Sequence, residues 1–268
     1  MMKKIRILKA FVLVLLAFLL CLVGCSSDNV IYRVTNTDGP YKPVMAGTAA
    51  TSGNGVNHDH SGKKRVALTF DDGPHTTRTK EIVDELSKYG FHATFFVVGN
   101  RVDGTEYGGG QAMLYAINAG NEIAVHGYTH DVNYAKCPDA TYEYELSQTV
   151  KAIQSIKPGY TPKLMRPIGG SITDARVSSC PYSVIMWSVD SLDWQNSSDA
   201  SGVQVIVDNV MSSVKEGDII LMHDIKQNSS DAAKIIIKRL YDEGYEIVTV
   251  SELLGSELQP GVKYSRAK

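Results

Sequence analysis

The stretch KRVALTFDDGP, residues 64–74, decides the fold because it joins an apolar run directly to an acidic turn. Residues 66–70 have the length and composition of a buried β-strand, and the Gly-Pro pair at 73–74 forces the chain to turn. Adjacent residues of an extended chain point in opposite directions, so Asp71 and Asp72 can take different roles. One carboxylate can bind a cation while the other faces a substrate, although Asp-Asp-Gly-Pro also occurs in ordinary surface turns.

A short apolar run followed by a longer stretch with helical spacing recurs along the chain after residue 64. We predict strands at residues 66–70, 94–98, 122–125, 163–165, 184–188, 218–222 and 246–250. We predict helices between them at residues 78–89, 111–119, 141–156, 203–214 and 232–243. Strands that alternate with helices pair in parallel, and right-handed crossovers arrange them as a barrel or as a doubly wound sheet. The sequence therefore predicts an α/β fold.

Titratable side chains follow five of the predicted strands at their carboxyl ends, where parallel α/β proteins carry their chemistry. These side chains are Asp71 and Asp72 after the first strand, His126 and His130 after the third, Arg166 after the fourth, Asp190 and Asp193 after the fifth, and His223 after the sixth. Because these ends meet at one edge of a parallel sheet, we expect the side chains to form a single site.

His126 and His130 are candidate metal ligands. Their spacing of four residues would place both rings on one face of a helical turn. A further carboxylate would complete the three-ligand set with an open position that is typical of catalytic zinc, and such a metal polarises a carbonyl under attack. We expect zinc, while cobalt, manganese or nickel suit the same donor types. The alternative is a histidine pair with a purely structural role on a loop.

Two further residues are candidates for contact with a substrate. His223 ends an apolar strand, and an imidazole in that place suits a general acid for a leaving amine. Its alternative is a histidine whose nitrogens are satisfied by the backbone. Trp194 would either stack on a sugar ring as a pocket wall or pack into the core.

Five motifs in this order resemble the polysaccharide deacetylase family, also called carbohydrate esterase family four or the NodB homology domain. The motifs are TFDDGP at 69–74, HGYTH at 126–130, RP at 166–167 with Gly170, DSLDW at 190–194 and LMH at 221–223. The resemblance covers residues 64–254 and implies a distorted (β/α)7 barrel, which is similar to a TIM barrel. It also implies a metal-dependent polysaccharide deacetylase.

The resemblance assigns a role to each matching residue. It makes Asp71 the catalytic base oriented by Arg166, His223 the acid tuned by Asp193, and Asp72, His126 and His130 the metal ligands. The N–H of Gly169 would help to hold the oxyanion. Two departures stand out: Gly127 replaces a usual Ser or Thr and removes a loop hydrogen bond, and Ile168-Gly169 replaces Pro-Tyr or Pro-Phe and leaves the groove more open.

The N-terminal residues resemble a bacterial lipoprotein leader. Basic residues precede an apolar run at 10–23 that is shorter than a bilayer-spanning helix, and Cys25 follows Leu22-Val23-Gly24. We therefore predict a lipoprotein signal peptide at 1–24, a lipid on Cys25 and a flexible linker at 25–62. The alternative is an ordinary signal peptide with a chance cysteine. We predict a catalytic domain at 63–256 and a C-terminal tail at 257–268.

The resemblance and the leader together predict function and location. We expect an extracytoplasmic enzyme, anchored in the bacterial membrane through Cys25, that removes acetyl groups from N-acetylglucosamine of peptidoglycan. The alternatives are a chitooligosaccharide or O-acetyl xylan deacetylase, or an inactive glycan-binding lipoprotein. A net charge of −2 gives no indication of nucleic-acid binding, and we expect a monomer. Cys137 and Cys180 form a disulfide or stay unpaired.

Overall fold

The structure is a computed structural model that describes residues 62–104 and 108–268. The predicted signal peptide, Cys25 and the linker up to residue 61 lie outside the described residues, so these interpretations stay predictions. The domain boundaries stay predictions as well. No described helix combines the length and the apolar character that crossing a membrane requires.

One parallel sheet contains all nine strands of the described residues. The strands are β1 (Lys64–Asp71), β2 (Thr94–Val98), β3 (Glu122–Gly127), β4 (Leu164–Met165), β5 (Ser183–Ile185), β6 (Val189–Asp190), β7 (Ile219–His223), β8 (Tyr245–Val248) and β9 (Lys263–Tyr264). Their order is β6-β7-β1-β2-β3-β4-β5-β9, and β8 pairs with the first half of β1. The predicted strand at 184–188 is correct only for residues 184–185, which lie in β5; residues 186–188 form no strand, and β6 begins after them. The strand β9 is too short to show a period.

The register of β1 aligns the carboxyl ends of its neighbours. Asp71 pairs with Phe96 of β2 on one side and with His223 of β7 on the other. A predicted acid and a predicted base are thus brought to the same level of the sheet by backbone pairing alone.

The two faces of β1 pack into different layers, as the two-residue period of a strand requires. Val66, Leu68 and Phe70 contribute to the core between the sheet and the outer helices. Ala67 packs into the barrel interior with Phe96 of β2. Because Thr69 and Asp71 share the face of Ala67, their side chains belong to the interior, and Asp71 lies at its mouth.

Helices cover the outside of the sheet. They are α1 (Arg78–Lys88), α2 (Gly99–Asp103), α3 (Gly110–Asn118), α4 (Asp139–Ile156), α5 (Asp174–Ser179), α6 (Ala200–Met211), α7 (Gln227–Asp242) and α8 (Val250–Leu254). The five predicted helices are all present. The short helices α2, α5 and α8 have no sustained apolar period, which explains why sequence patterning misses them.

Helices α6 and α7 start three and five residues before their predicted ranges because polar residues form the first turn. The Asp199 carboxylate accepts the Gly202 N–H and thereby caps α6. In α7, the buried Asn228 donates through Nδ2 to the carbonyl oxygens of Asp193 and Asn196. The first turn of α7 therefore supports the loop that carries Asp193.

The residues after 256 contribute to the sheet. β9 pairs with β5, and Arg266 forms a bridge to Asp218 beside β7 with an ion pair of 3.0 Å. The C-terminal segment thus spans the gap between the two sides of the barrel at its amino end. The arrangement is a parallel half-barrel with outer helices, and the predicted α/β fold of the (β/α)7 type is confirmed.

Candidate active site and metal centre

The turn after β1 is strained and closely packed. Asp71 is buried, and Asp72 adopts a left-handed conformation with φ of 72°. Such a conformation costs a non-glycine residue about 1 kcal/mol or more and persists only where the surroundings impose it. Gly73 has no space for a side chain, since a Cβ would lie 2.1 Å from Oδ1 of Asp224. The turn therefore presents the two carboxylates in a fixed arrangement.

Arg166 holds Asp71 from inside the barrel. Its Nη1 donates to Oδ1 of Asp71 at 2.7 Å and to Oγ1 of Thr69 at 2.8 Å. Its Nε and Nη2 donate to the carbonyl oxygens of Ile185 and Met186. Burial lowers the pKa of Arg166 and Asp71 opposes this shift, and an arginine stays charged in either case. The guanidinium therefore directs Asp71 through a charge-assisted hydrogen bond.

Asp72, His126 and His130 meet around one point. Their donor atoms all lie within 4.8 Å of one another. Nε2 of His126 and Nε2 of His130 are 3.3 and 2.8 Å from Oδ1 of Asp72. The expected helical turn is wrong: His126 lies in β3, and His130 lies in a bend with its own φ at 66°. The strand end and the bend bring the rings together instead.

The donor set fits a divalent metal. Nδ1 of His126 lies 2.9 Å from the carbonyl oxygen of Arg166, which can only accept, so Nδ1 donates and Nε2 is the ring nitrogen directed towards Asp72. Oδ1 of Asp72 is buried and makes no hydrogen bond to the described residues. Burial raises the pKa of Asp72, but the two imidazoles lower it by a larger amount, so the net pKa lies below its usual range. One carboxylate and two imidazoles form the three-ligand set of catalytic zinc.

His223 and Asp193 form a second buried pair. Nδ1 of His223 donates to Oδ1 of Asp193 at 2.7 Å, and the His223 backbone N–H donates to Oδ2 at 2.8 Å. Burial lowers the pKa of His223, but the Asp193 carboxylate outweighs it and raises this pKa to about 9. His223 is therefore protonated at neutral pH, and its Nε2–H can serve as an acid.

These groups share one cavity of about 390 Å³. Trp194 lines it with 54% of its surface exposed, so the pocket-wall interpretation holds and the core interpretation does not. Gly169 also lines the cavity, as predicted. The structure thus places together all the predicted site residues from 71 to 223, with Arg166 and Asp193 behind the cavity wall.

Comparison with known proteins identifies the family to which the chain belongs. The family model for polysaccharide deacetylases matches residues 58–183. A peptidoglycan-N-acetylglucosamine deacetylase of Bacillus cereus is 35% identical, and the match covers 72% of this chain and 89% of that protein. The chain belongs to the polysaccharide deacetylase family.

Two further relatives extend this family assignment. The peptidoglycan-N-acetylmuramic acid deacetylase PdaC of Bacillus subtilis is 39% identical over 71% of this chain, but the chain spans only 39% of its length. A solved structure of a family 4 acetyl xylan esterase from Clostridium thermocellum, in complex with a cobalt ion, is 30% identical. Its TM-score is 0.66, and the match covers 76% of this chain and 98% of that one. Polysaccharide deacetylases of this family are metal-dependent, which agrees with the Asp72, His126 and His130 cluster.

Two glycines mark the departures of this polysaccharide deacetylase family member. Gly127 has φ of 122°, and a Cβ there would lie 2.4 Å from Oη of Tyr134. The space of the usual hydroxyl residue is thus filled by Tyr134. Gly169 has φ of 57°, and a Cβ there would meet nothing within 4 Å. The groove is open on this side, as the sequence predicts.

Sequence reasoning overlooked part of the cavity wall in this polysaccharide deacetylase. Trp187, Leu221 and Ile168 also line the cavity without a predicted role of their own, and so does Asp190, one of the predicted strand-end side chains. The predicted strand at 184–188 includes Trp187, whereas this residue lies between β5 and β6, and its ring centroid is 5.7 Å from Cζ of Arg166. The signal that could have found it is composition, because the chain has only two tryptophans, and Trp187 lies seven residues before Trp194, the last residue of the DSLDW motif.

The two cysteines of the described residues are free. Cys180 is buried, and Cys137 is partly buried with its Sγ 3.2 Å from Nη1 of Arg176. Of the two alternatives that the sequence leaves open, the structure therefore has the unpaired one.

Proposed function

We propose that this chain is a metal-dependent hydrolase that removes acetyl groups from N-acetylglucosamine residues of peptidoglycan. One observation carries the proposal: the Asp71–Arg166 pair and the Asp193–His223 pair border the same cavity as the Asp72, His126 and His130 cluster. A base, an acid and a metal site around one cavity are the parts that amide hydrolysis requires. The names of the relatives support a cell-wall glycan as the substrate.

Asp71 is the base in this proposal. Its Oδ1 is occupied by Arg166, so Oδ2 is the oxygen that takes a proton from the attacking water. The hydrogen bond from Arg166 fixes the carboxylate plane, which keeps Oδ2 directed into the cavity. When bound, the metal polarises the acetamide carbonyl and lowers the pKa of water.

His223 is the acid. The water oxygen bonds to the acetamide carbon, and Asp71 accepts the water proton. The C–N bond then breaks as His223 gives its Nε2 proton to the amine nitrogen, so acetate and a free amino sugar are the products. The Gly169 N–H is proposed to stabilise the oxyanion, and Trp194 to stack on the sugar ring.

The D71N substitution tests the roles. It keeps the shape of the side chain but removes the base, so acetate release should be lost while zinc binding, measured by atomic absorption, stays near one equivalent. Acetate release that persists in D71N would contradict the assignment of the base. Loss of activity in a chelator, with recovery on addition of zinc, tests metal dependence, and cobalt, manganese and nickel can be compared in the same assay.

The substrate has named alternatives. The esterase relative makes O-acetyl xylan a second candidate, and chitooligosaccharides are a third. Acetate release from peptidoglycan, chitin oligomers and acetyl xylan, measured side by side with one protein preparation, ranks the three. Absence of release from all of them, with metal bound, would favour an inactive glycan-binding protein instead.

The same proposal places the enzyme outside the cytoplasm, tethered to the membrane by a lipid on Cys25 and acting as a monomer. The basis is the leader sequence alone. Two acyl chains or more give stable anchoring, and a glycan near the membrane would then be within reach. Partition of the wild type, but not of the Cys25→Ser variant, into the detergent phase would support the anchor. Sedimentation of the Cys25→Ser variant without detergent measures the mass in solution and tests the monomeric state.

A further inference from the structure

The loop between the two histidine ligands is held by one buried carboxylate. Glu145 lies in the middle of α4 with only 2% of its surface exposed. Its Oε2 accepts the N–H of Tyr128 at 2.6 Å and the N–H of Thr129 at 2.9 Å. Its Oε1 accepts the hydroxyl of Thr129 at 2.8 Å. Three hydrogen bonds thus connect one helix to the short segment that joins His126 to His130.

Residue 127 of the loop is a glycine, so it has no side chain that could take the place of Glu145 in holding the loop. A Cβ at Gly127 would lie 2.4 Å from Oη of Tyr134 and 3.3 Å from Oε2 of Glu145. The other main-chain support of the loop is the hydrogen bond from the Asn100 N–H to the Tyr128 carbonyl oxygen. Glu145 is therefore the side chain that fixes residues 128–129.

The charge of Glu145 makes this contact strong. Burial of a carboxylate is costly unless donors surround it. Across residues 62–104 and 108–268, no lysine, arginine or histidine forms an ion pair with Glu145. The donors that compensate the carboxylate are thus the loop's own, and hydrogen bonds to a charged acceptor are roughly twice as strong as neutral ones.

The two ligands differ in how they are fixed. His126 belongs to β3, and its Nδ1 bonds to the Arg166 carbonyl oxygen. His130 lies beyond the loop, in a left-handed conformation with φ of 66°, and 39% of its side chain is exposed. The position of His130 relative to His126 therefore depends on the three residues between them.

We propose that Glu145 is a positioning residue that sets the metal affinity of the site by holding the 127–129 loop at the spacing that lets both imidazoles bind one ion. Glu145 contacts neither the metal ligand atoms nor the substrate cavity, and it acts through the Tyr128 and Thr129 backbone. Partners of this kind typically change metal affinity by about 10- to 100-fold when they are removed.

The E145Q substitution tests the proposal with full-length protein. It keeps the side-chain shape but removes the charge, so the N–H groups of Tyr128 and Thr129 lose a charged acceptor. Competition with a chromophoric zinc chelator should show a zinc Kd about 10- to 100-fold weaker than in the wild type. The visible absorption spectrum of the cobalt-loaded protein should change, because the ligand geometry changes.

A matched control lies at the other end of β3. Glu122 also accepts three hydrogen bonds, from Oγ1 of Thr94 and from the N–H and hydroxyl of Ser251, yet it is at the start of the strand whose end carries His126. E122Q should leave the zinc Kd and the cobalt spectrum unchanged. A Kd weakened equally in both variants would overturn the proposal, because the effect would then be a general loss of stability.

A zinc Kd of folded E145Q within twofold of the wild type would also overturn the proposal. If far-UV circular dichroism shows that E145Q does not fold, T129V decides. It removes the hydroxyl bond to Oε1 and the acceptor of the Asp131 N–H, and it leaves the two N–H bonds to Oε2. T129V should weaken zinc binding by about three- to tenfold, and an unchanged Kd would overturn the proposal. The readout is metal binding, so the result is independent of which glycan the enzyme hydrolyses.

Discussion

Buried carboxylates at the two ends of the barrel are in opposite states. At the amino end, the oxygens of Glu122 are filled by Thr94 and Ser251, and the neighbouring Thr249 forms a capping box with Glu252. At the carboxyl end, Oδ1 of Asp72 is buried without a hydrogen bond to the described residues. The amino end thus holds a carboxylate that is fully hydrogen-bonded, whereas the carboxyl end holds paired carboxylates, such as Asp71 with Arg166, beside a ligand atom of Asp72 that has no hydrogen bond within the described part of the chain.

Backbone conformation follows the same division. The non-glycine residues with positive φ among the described residues are Asp72, His130 and Leu192, and all three lie at the carboxyl end. Two of them are metal-ligand candidates, and Leu192 precedes Asp193. Strain of this kind persists only where tertiary contacts impose it, and it marks the end of the barrel where the chemistry is placed.

Removal of Arg166 should give the largest effect, because it breaks the buried charge pair of the carboxyl end. In R166M, Asp71 loses its partner inside the barrel, and we expect the free energy of unfolding to fall by about 3–5 kcal/mol. Urea denaturation monitored by fluorescence measures it. The double variant D71N/R166M is the control: it removes both charges and should be less destabilised than R166M. Equal stability of R166M and the wild type would contradict the pairing.

Replacement of Asp193 should shift the pH dependence of the reaction. A general acid must be protonated, so the rate falls as pH rises through the His223 pKa of about 9. D193N removes the carboxylate that raises this pKa, and the alkaline limb should move down towards 6.5. Acetate release between pH 6 and 10 measures it, and an unmoved limb would count against the pair.

The same pair makes stability depend on pH. The folded pKa of His223 is raised above 6.5, so its stabilising contribution is complete below pH 6.5 and is lost as pH rises through about 9. D193N should lack this loss. Unfolding free energies at pH 6 and pH 10 for both proteins provide the check.

Trp194 should have a smaller effect, because its ring is half exposed and supports the substrate rather than the fold. We expect W194A to raise KM for chitin oligomers by about two- to tenfold, which corresponds to the loss of one aromatic contact of about 0.5–1.5 kcal/mol. The unfolding midpoint should stay unchanged. A large loss of stability with an unchanged KM would show that Trp194 supports the fold and not the substrate.

Glu122 should give the smallest effect, since its network is complete and remote from the cavity. Burial raises the pKa of Glu122 above its ordinary value, with the hydrogen bonds opposing it. The folded state therefore holds the proton more tightly, so this group's contribution to stability falls as pH rises from 4.5 through the folded pKa. E122Q should lack this component, while kcat and KM stay unchanged. Urea titrations between pH 4 and 7 test it, and reduced activity in E122Q would break the contrast between the two ends.

The sequence predicts the carboxyl end of the barrel better than it predicts the details of the wall. Asp71 and His223 come together because strand ends in a parallel sheet share one level, a rule that needs only the strand assignment. The helical reason for the His126–His130 pairing is wrong, because an apolar strand extends as far as Gly127 and leaves only a bend for His130. Residue spacing alone does not distinguish a helical turn from a strand end followed by a bend.

Other features depend on contacts that no local pattern reveals. Trp187 lines the cavity because the extended structure is interrupted between β5 and β6. The strand β9 pairs with β5, which lies almost 80 residues earlier in the chain. The position of Glu145 is partly visible in the sequence, because it shares the buried face of α4 with Tyr142, Leu146 and Thr149. An acid on an otherwise inward stripe indicates a buried acceptor, but its donors, 16 and 17 residues earlier, require the tertiary structure.

The short strand β9 has a practical consequence for handling the protein. The N–H groups of Val184 and Met186 donate to the carbonyl oxygens of Val262 and Tyr264. A chain shortened to end before residue 260 would lack β9. The donors along β5 would then be exposed as an open strand edge, a surface on which a second copy can add a strand. A shortened protein should therefore self-associate, and affinity tags belong after Lys268 rather than in place of the last residues.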